Sequence, residues 1–280
     1  MIEAPAPLAA PVIDTHTHLD VHDRDLHGSD RPDVETLLAL AEQVNVTRIV
    51  QIGCDETSAR LSVEMAQGRD NVVVGVGIHP NDAARTVERH GAGRLEDSLR
   101  TIEELSADPK VRGIGETGLD YFRTGPELRP VQQESFRWHI DLAKRTGKAL
   151  VIHDRDSHDD VLSILDEVGA PETVIFHCFS GDRAMAEHCA ARGWFMSFAG
   201  VLTYKNNDSL REACLAVPDD LVLVETDAPY LTPVPFRGKP NASYLMPHTV
   251  RFMAELRGTD EAAMATTLTA NALRAFGAWG

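Results

Sequence analysis

Short apolar runs rich in Val and Ile alternate with longer amphipathic stretches along the whole chain. The runs predict strands at Val12 to Leu19, Arg48 to Cys54, Val72 to His79, Val111 to Leu119, Ala149 to His153, Thr173 to Phe179, Phe195 to Gly200 and Leu221 to Asp227. Most are nearly continuous in hydrophobicity, the mark of parallel strands covered on both faces. Between them, Asp33 to Val46 carries Leu37, Leu38, Leu40, Ala41 and Val44 on one broad helical face. Glu127 to Thr146 ends in Lys144 and Arg145 before Gly147, and Asp182 to Arg192 is closed by Gly193, both good helix stops.

Eight strands with intervening helices predict an α/β fold, a (β/α)8 TIM barrel forming a single domain, with a doubly wound open sheet as the competing arrangement. A barrel of this kind takes about 250 residues, and the chain has 280. Residues 1–11 read as a short Ala- and Pro-rich extension and residues 12–280 as the barrel. The longest irregular stretch, Tyr230 to Met246, follows the last strand and precedes a helix expected near Pro247. A long loop there is more often functional than accidental.

The composition, 43% hydrophobic and 25% charged, is that of a folded soluble protein. No basic n-region precedes an apolar run, and no apolar stretch is long enough to span a bilayer, so a cytoplasmic protein without membrane contact is expected. Cys54, Cys178, Cys189 and Cys214 are scattered without CxxC spacing, which suits a reducing compartment. The net charge of −16 argues against a broad electrostatic grip on nucleic acid. It leaves room for a nucleic-acid substrate held in a small site where bound cations reverse the local sign. Aromatic content is low at 6%, with no stacking platform legible, so substrate grip must be local.

Potential metal ligands fall at the carboxyl ends of the predicted strands. His16 and His18 end the first, two residues apart and so on one face. His79 ends the third, Glu116 the fourth and His153 the fifth; His177 lies near the end of the sixth, and Asp227 ends the eighth. In a barrel these ends form one rim, where such folds place their sites. Four imidazoles (His16, His18, His153, His177) and two carboxylates (Glu116, Asp227) suffice for two divalent cations with a bridging carboxylate. Water bound to such cations becomes a nucleophile near neutral pH. A lone HxH is weak, and Asp14 reads as a structural capping group. The coincidence of all six positions is what makes the pattern specific.

The segments Ile13-Asp14-Thr15-His16-Thr17-His18-Leu19-Asp20, Gly75-Val76-Gly77-Ile78-His79-Pro80 and Gly113-Ile114-Gly115-Glu116-Thr117-Gly118-Leu119-Asp120-Tyr121 resemble the TatD family of metal-dependent deoxyribonucleases, within the amidohydrolase-like barrels. Val151-Ile152-His153, Phe176-His177-Cys178-Phe179-Ser180-Gly181 and Glu225-Thr226-Asp227-Ala228-Pro229-Tyr230-Leu231 continue the likeness in family order. The resemblance implies that His16, His18, Glu116 and Asp227 hold one ion and that Glu116, His153 and His177 hold the second, with Glu116 bridging. It also implies hydrolysis of phosphodiester bonds in DNA, as a 3′-to-5′ exodeoxyribonuclease acting on single-stranded ends. The metal is Mg, Mn or Zn, since imidazole-rich sites also suit zinc. No obligate protein partner is indicated.

Asp227 has a second expected role, as acceptor of the attacking water's proton, which with Glu116 makes the catalytic pair. His79 and Tyr121 face the same rim, within reach of the scissile phosphate or leaving oxygen, although His79 also reads as a hydrogen-bonded histidine before Pro80. Lys205 is a candidate phosphate contact, as is Arg237; a solvated loop charge is the alternative for each. The loop carrying Asn241 and Tyr244 resembles a family stretch, but Ala242-Ser243 departs from the usual Glu-Pro. His22 and His27, among Asp23, Asp25 and Asp30, read as a solvated loop. The alternative function is a metal-dependent carboxyl ester or amide hydrolase of the same barrel class. Many amidohydrolases use a carbamylated Lys at the end of the fourth strand; here Glu116 stands there, and Lys110 lies at the wrong end.

Overall fold

The computed structural model describes residues 2–20 and 32–279, so the expectation for His22 and His27 lies outside the described residues. The strands are β1 (Val12–Thr17), β2 (Val46–Gly53), β3 (Val72–Val76), β4 (Val111–Asp120), β5 (Ala149–Arg155), β6 (Val174–Phe176), β7 (Phe195–Phe198) and β8 (Val222–Val224). They form one eight-stranded sheet in the order β1-β2-β3-β4-β5-β6-β7-β8. The fold is therefore α/β, an eight-stranded parallel barrel closing a β/α repeat. A doubly wound sheet would reverse its strand order at a switch point, and this order does not.

Contacts group the chain into two compact units, Met1–Gln51 with Gly181–Arg274, and Ile52–Ser180 with Ala275–Gly280. In the first, β1 pairs β2 in parallel (Val12↔Val46 to Thr17↔Gln51) and β7 pairs β8 (Met196↔Val222 to Phe198↔Val224). The chain after β8 returns to β1 through a parallel bridge between Thr17 and Ala228. The N-terminal stretch packs here too: Leu8 is buried, and its N–H donates to the Val44 carbonyl at 3.2 Å. In the second unit, β3 to β6 pair in sequence, with Val74↔Val111, Gly113↔Ala149 and Leu150↔Val174 among the partners. Val72, Val73, Val74 and Val76 are all buried. Branched side chains fit a pleated surface covered on both faces, which is why this run is a strand.

The helix signals hold within a turn. Helix Val34–Gln43 is capped by Asp33, which accepts from the Thr36 N–H at 2.8 Å. Arg183–Ala191 is capped by Asp182, and Arg129–Thr146 stops at Gly147 with φ 65°. β6 and β8 are shorter than expected. After Phe176 the chain leaves the ladder, with Cys178 at φ 42°. After Val224 the Thr226 N–H turns to the Asp14 carboxylate at 3.0 Å.

One buried histidine in the second unit serves the fold. His139 is fully buried on helix Arg129–Thr146; its Nε2 accepts from the Ile78 N–H at 3.0 Å, and its Nδ1 donates to the Ser135 carbonyl at 2.7 Å. That pairing needs the neutral ring, and burial pushes the pKa down to about 4 from the ordinary 6.5. With the folded value depressed, the contribution is complete above pH 6.5 and is lost as pH falls toward 4. Urea unfolding of wild type and His139→Gln should diverge over that window, with wild type losing about 3 kcal/mol more. Parallel pH profiles for the two proteins would contradict this account.

Candidate metal centre

In the second unit the ligand-type residues gather around Glu116. Its Oε1 lies 2.8 Å from His153 Nδ1, 2.9 Å from His177 Nε2 and 3.4 Å from His79 Nε2. Cys54 Sγ donates to the other carboxylate oxygen at 3.4 Å. Glu116 is buried. Its aim comes from a bulge: Ile114 pairs with Leu150 and Thr117 with Ile152, so β4 spends one residue more than β5 across Gly115 and Glu116. Bulges re-aim side chains in this way beside functional sites. Gly118, at φ 125°, lies against the His153 carbonyl so closely that a Cβ would overlap it. Only glycine allows both the angle and the approach.

His153 is also gripped from behind. Its Nε2 stands 3.3 Å from Asp120 Oδ2. That same oxygen accepts from Asn81 Nδ2 at 2.7 Å, and Asp120 Oδ1 accepts from the Arg123 N–H at 2.9 Å. Burial opposes ionisation of Asp120, but the hydrogen bonds from His153, Asn81 and Arg123 outweigh it and hold the carboxyl well below its usual range. Burial likewise works against a charged His153, yet Asp120 and Glu116 together raise its pKa. His79 goes the other way, lowered by burial despite the Glu116 charge. A carboxylate behind an imidazole fixes the ring and its tautomer, leaving Nδ1 of His153 turned to Glu116. Sequence reading missed Asp120 and Cys54. The available signal for Asp120 was its position on β4 four residues after Glu116, the even spacing that shares a strand face.

In the first unit, His16 and His18 stand with ring centroids 5.1 Å apart. Asp227 Oδ1 is 3.5 Å from His18 Nε2 and 3.9 Å from His16 Nε2. Separations of this size suit donors arranged around an ion better than direct hydrogen bonds. Asp227 adopts φ 51°, a left-handed conformation that Asp tolerates better than most residues. Its N–H donates to the His16 carbonyl at 2.9 Å, and its carbonyl accepts from the Tyr230 N–H at 2.8 Å. Asp14, expected to be a capping group, instead ties β1 to the segment that follows β8. Fully buried, it accepts from the Thr226 N–H at 3.0 Å, Thr226 Oγ1 at 2.6 Å and Ser243 Oγ at 2.7 Å. Burial pushes its pKa up to about 7 against those hydrogen bonds.

The expectation that every ligand ends a strand needs correction. Glu116 and His153 lie inside β4 and β5, His18 and His177 one residue beyond β1 and β6, and Asp227 three beyond β8. His79 lies three residues past β3 and caps helix Pro80–His90, its Nδ1 accepting from the Asn81 N–H at 3.1 Å. The hydrogen-bonded role before Pro80 is thus seen, while Nε2 faces Glu116. Tyr121 donates its hydroxyl to Asp160 at 2.6 Å, with Arg129 4.1 Å over its ring. Lys205 is exposed on the loop after β7, and Arg237 stacks 4.3 Å over Tyr204. Asn241 and Tyr244 are buried and hold backbone: Asn241 Nδ2 donates to the Thr226 and Tyr230 carbonyls, and Tyr244 to the Ile2 carbonyl.

The donor chemistry fits a cation. His79, Glu116 and His153 each offer an atom within 4.8 Å of the others. Three imidazoles around a buried carboxylate, with a second carboxylate fixing one ring, make a set that divalent metals favour. Fold and donors together define a metal-dependent hydrolase of the barrel class.

Comparison with known proteins places it more closely. The profile of the family described as TatD related DNase matches residues 13–277, and the chain belongs to the TatD family. It is 43% identical over 272 residues to a metal-dependent hydrolase, TatD, of Mycobacterium tuberculosis, covering 95% of this chain and 98% of that one. It is 37% identical to the metal-dependent hydrolase YabD of Bacillus subtilis, over 95% of this chain and 98% of that one. Among solved structures, the TatD homologue YJJV from Escherichia coli superposes with a TM-score of 0.84 at 27% identity, covering 95% and 98% of the two chains. Among the described residues no helix is long and apolar enough to cross a membrane.

Proposed function

We propose that this protein is a metal-dependent deoxyribonuclease that removes nucleotides from the 3′ end of single-stranded DNA. It works with two divalent cations, one held by His16, His18 and Asp227 and the other by Glu116, His153 and His177. The observation that carries the reading is the convergence of three imidazoles on the buried Glu116 carboxylate. Bound there, a divalent cation offsets phosphodiester charge and acidifies water. The protein's own groups do the rest: Asp120 fixes His153, the Asp14 network holds the turn bearing Asp227, and Asp227 accepts the proton of the attacking water. His79, Tyr121 and Lys205 are the proposed substrate contacts, with His79 the best placed. The absence of disulfides among the four cysteines supports a cytoplasmic setting.

The ester or amide alternative draws less support. Glu116 occupies the position where a carbamylated Lys would stand, and Lys110 is spent on the Arg69 and Val72 carbonyls. The deciding assay follows 5′-labelled single-stranded DNA with Mg, Mn or Zn, with and without chelator. A ladder shortening from the 3′ end only when metal is present is expected, and Asp227→Asn should slow it even where metal is still bound. Intact DNA, together with metal-dependent turnover of a carboxyl ester, would replace this reading with the alternative.

A further inference from the structure

Low aromatic content concealed one feature of the rim. Of the nine phenylalanines, Phe122 is the exposed one among the described residues, with 61% of its surface open. It is the second residue after β4, which ends at Asp120. The Arg155 guanidinium lies 4.0 Å from its ring centroid. Arg155 is itself exposed, ends β5, and lies two residues beyond His153. The strands that carry Glu116 and His153 therefore lead, at or just past their ends, into the two halves of an aromatic–cation pair.

The backbone beneath the pair is fixed. Asp120 is in register with Arg155, and the Tyr121 N–H donates to the Arg155 carbonyl at 2.9 Å. The Arg123 N–H is held by Asp120, and the Tyr121 hydroxyl by Asp160. An open aromatic ring on a rigid turn attracts a planar partner, and a guanidinium beside it keeps N–H donors for an anion. A nucleotide offers both, a planar base and, across its sugar, a phosphate. In a chain of net charge −16, an exposed cation beside an exposed aromatic ring gives an anion a local place to dock.

We infer that Phe122 and Arg155 form a nucleobase subsite, in which the base of the terminal nucleotide stacks on Phe122 while Arg155 meets the adjoining phosphate. This rests on the deoxyribonuclease reading and adds to it a contact that recognises a base without reading its identity. Stacking tolerates every base because each has a π face, and losing it costs about tenfold or more.

The test compares two single-stranded DNAs that differ only in the last nucleotide, one bearing a base and one an abasic tetrahydrofuran. For each enzyme variant the measured quantity is the ratio of kcat/KM on the two ends. That ratio is internal to the variant, so differences in the amount of folded protein cancel. Wild type should favour the base-bearing end by about tenfold. Phe122→Ala should bring the ratio near one, and Phe122→Trp should restore it. An unchanged ratio in Phe122→Ala, or a wild-type ratio near one, overturns the subsite and leaves the nuclease intact. Failure of wild type to cleave either DNA overturns the nuclease reading itself, and the subsite with it.

Discussion

Glu116→Ala is expected to lose bound metal and on the order of a thousandfold of metal-dependent activity. Three imidazoles approach one oxygen of this carboxylate within 3.4 Å. Removing it takes away the carboxylate those rings share, one of the two that raise the pKa of His153. Glu116→Gln separates charge from shape, because the amide fills the space yet supplies no anion. It should fall almost as far. Metal content after exhaustive dialysis, measured beside turnover, gives the answer. Full activity in either variant at wild-type metal content would remove Glu116 from the centre.

Asp120→Ala should weaken metal binding by about 10- to 100-fold, the usual cost of losing an outer carboxylate behind a ligating histidine. The substitution releases Nε2 of His153 and leaves Asn81 Nδ2 and the Arg123 N–H without their acceptor. A positioning role predicts a recognisable split: the metal concentration for half-maximal activity rises, and much of the rate returns at saturating metal. Asp120→Asn keeps an oxygen for one of the three donors and should lie between alanine and wild type. Equal metal affinity in all three proteins would show that His153 needs no such support.

Much of this is legible in the sequence alone. The eight strands announced themselves because parallel strands covered on both faces need unbroken apolar runs, as Val72 to Val76 illustrates. Helix boundaries followed from Asp33, Asp182 and Gly147, whose effects are local. What escaped was whatever depends on a partner distant in sequence. His79 read as a strand end, and the approach of its Nε2 to Glu116, 37 positions on, was not legible. Asp14 read as a cap because its three donors, His16 aside, lie more than two hundred positions away. Asn241 and Tyr244 read only as part of a loop resembling a family stretch, and their bonds to distant backbone carbonyls were not legible. Phe122 went unnoticed because composition counts aromatic residues without saying which one faces water.

The Asp14 contact to Ser243 spans 229 positions. A growing polypeptide has completed β1 long before the segment that secures Asp227 exists. The turn at 226–227 acquires its full set of anchors only when residue 243 has been added and folded back. Order around Asp14 is therefore a property of the finished chain, not of any stretch that could be cut out of it.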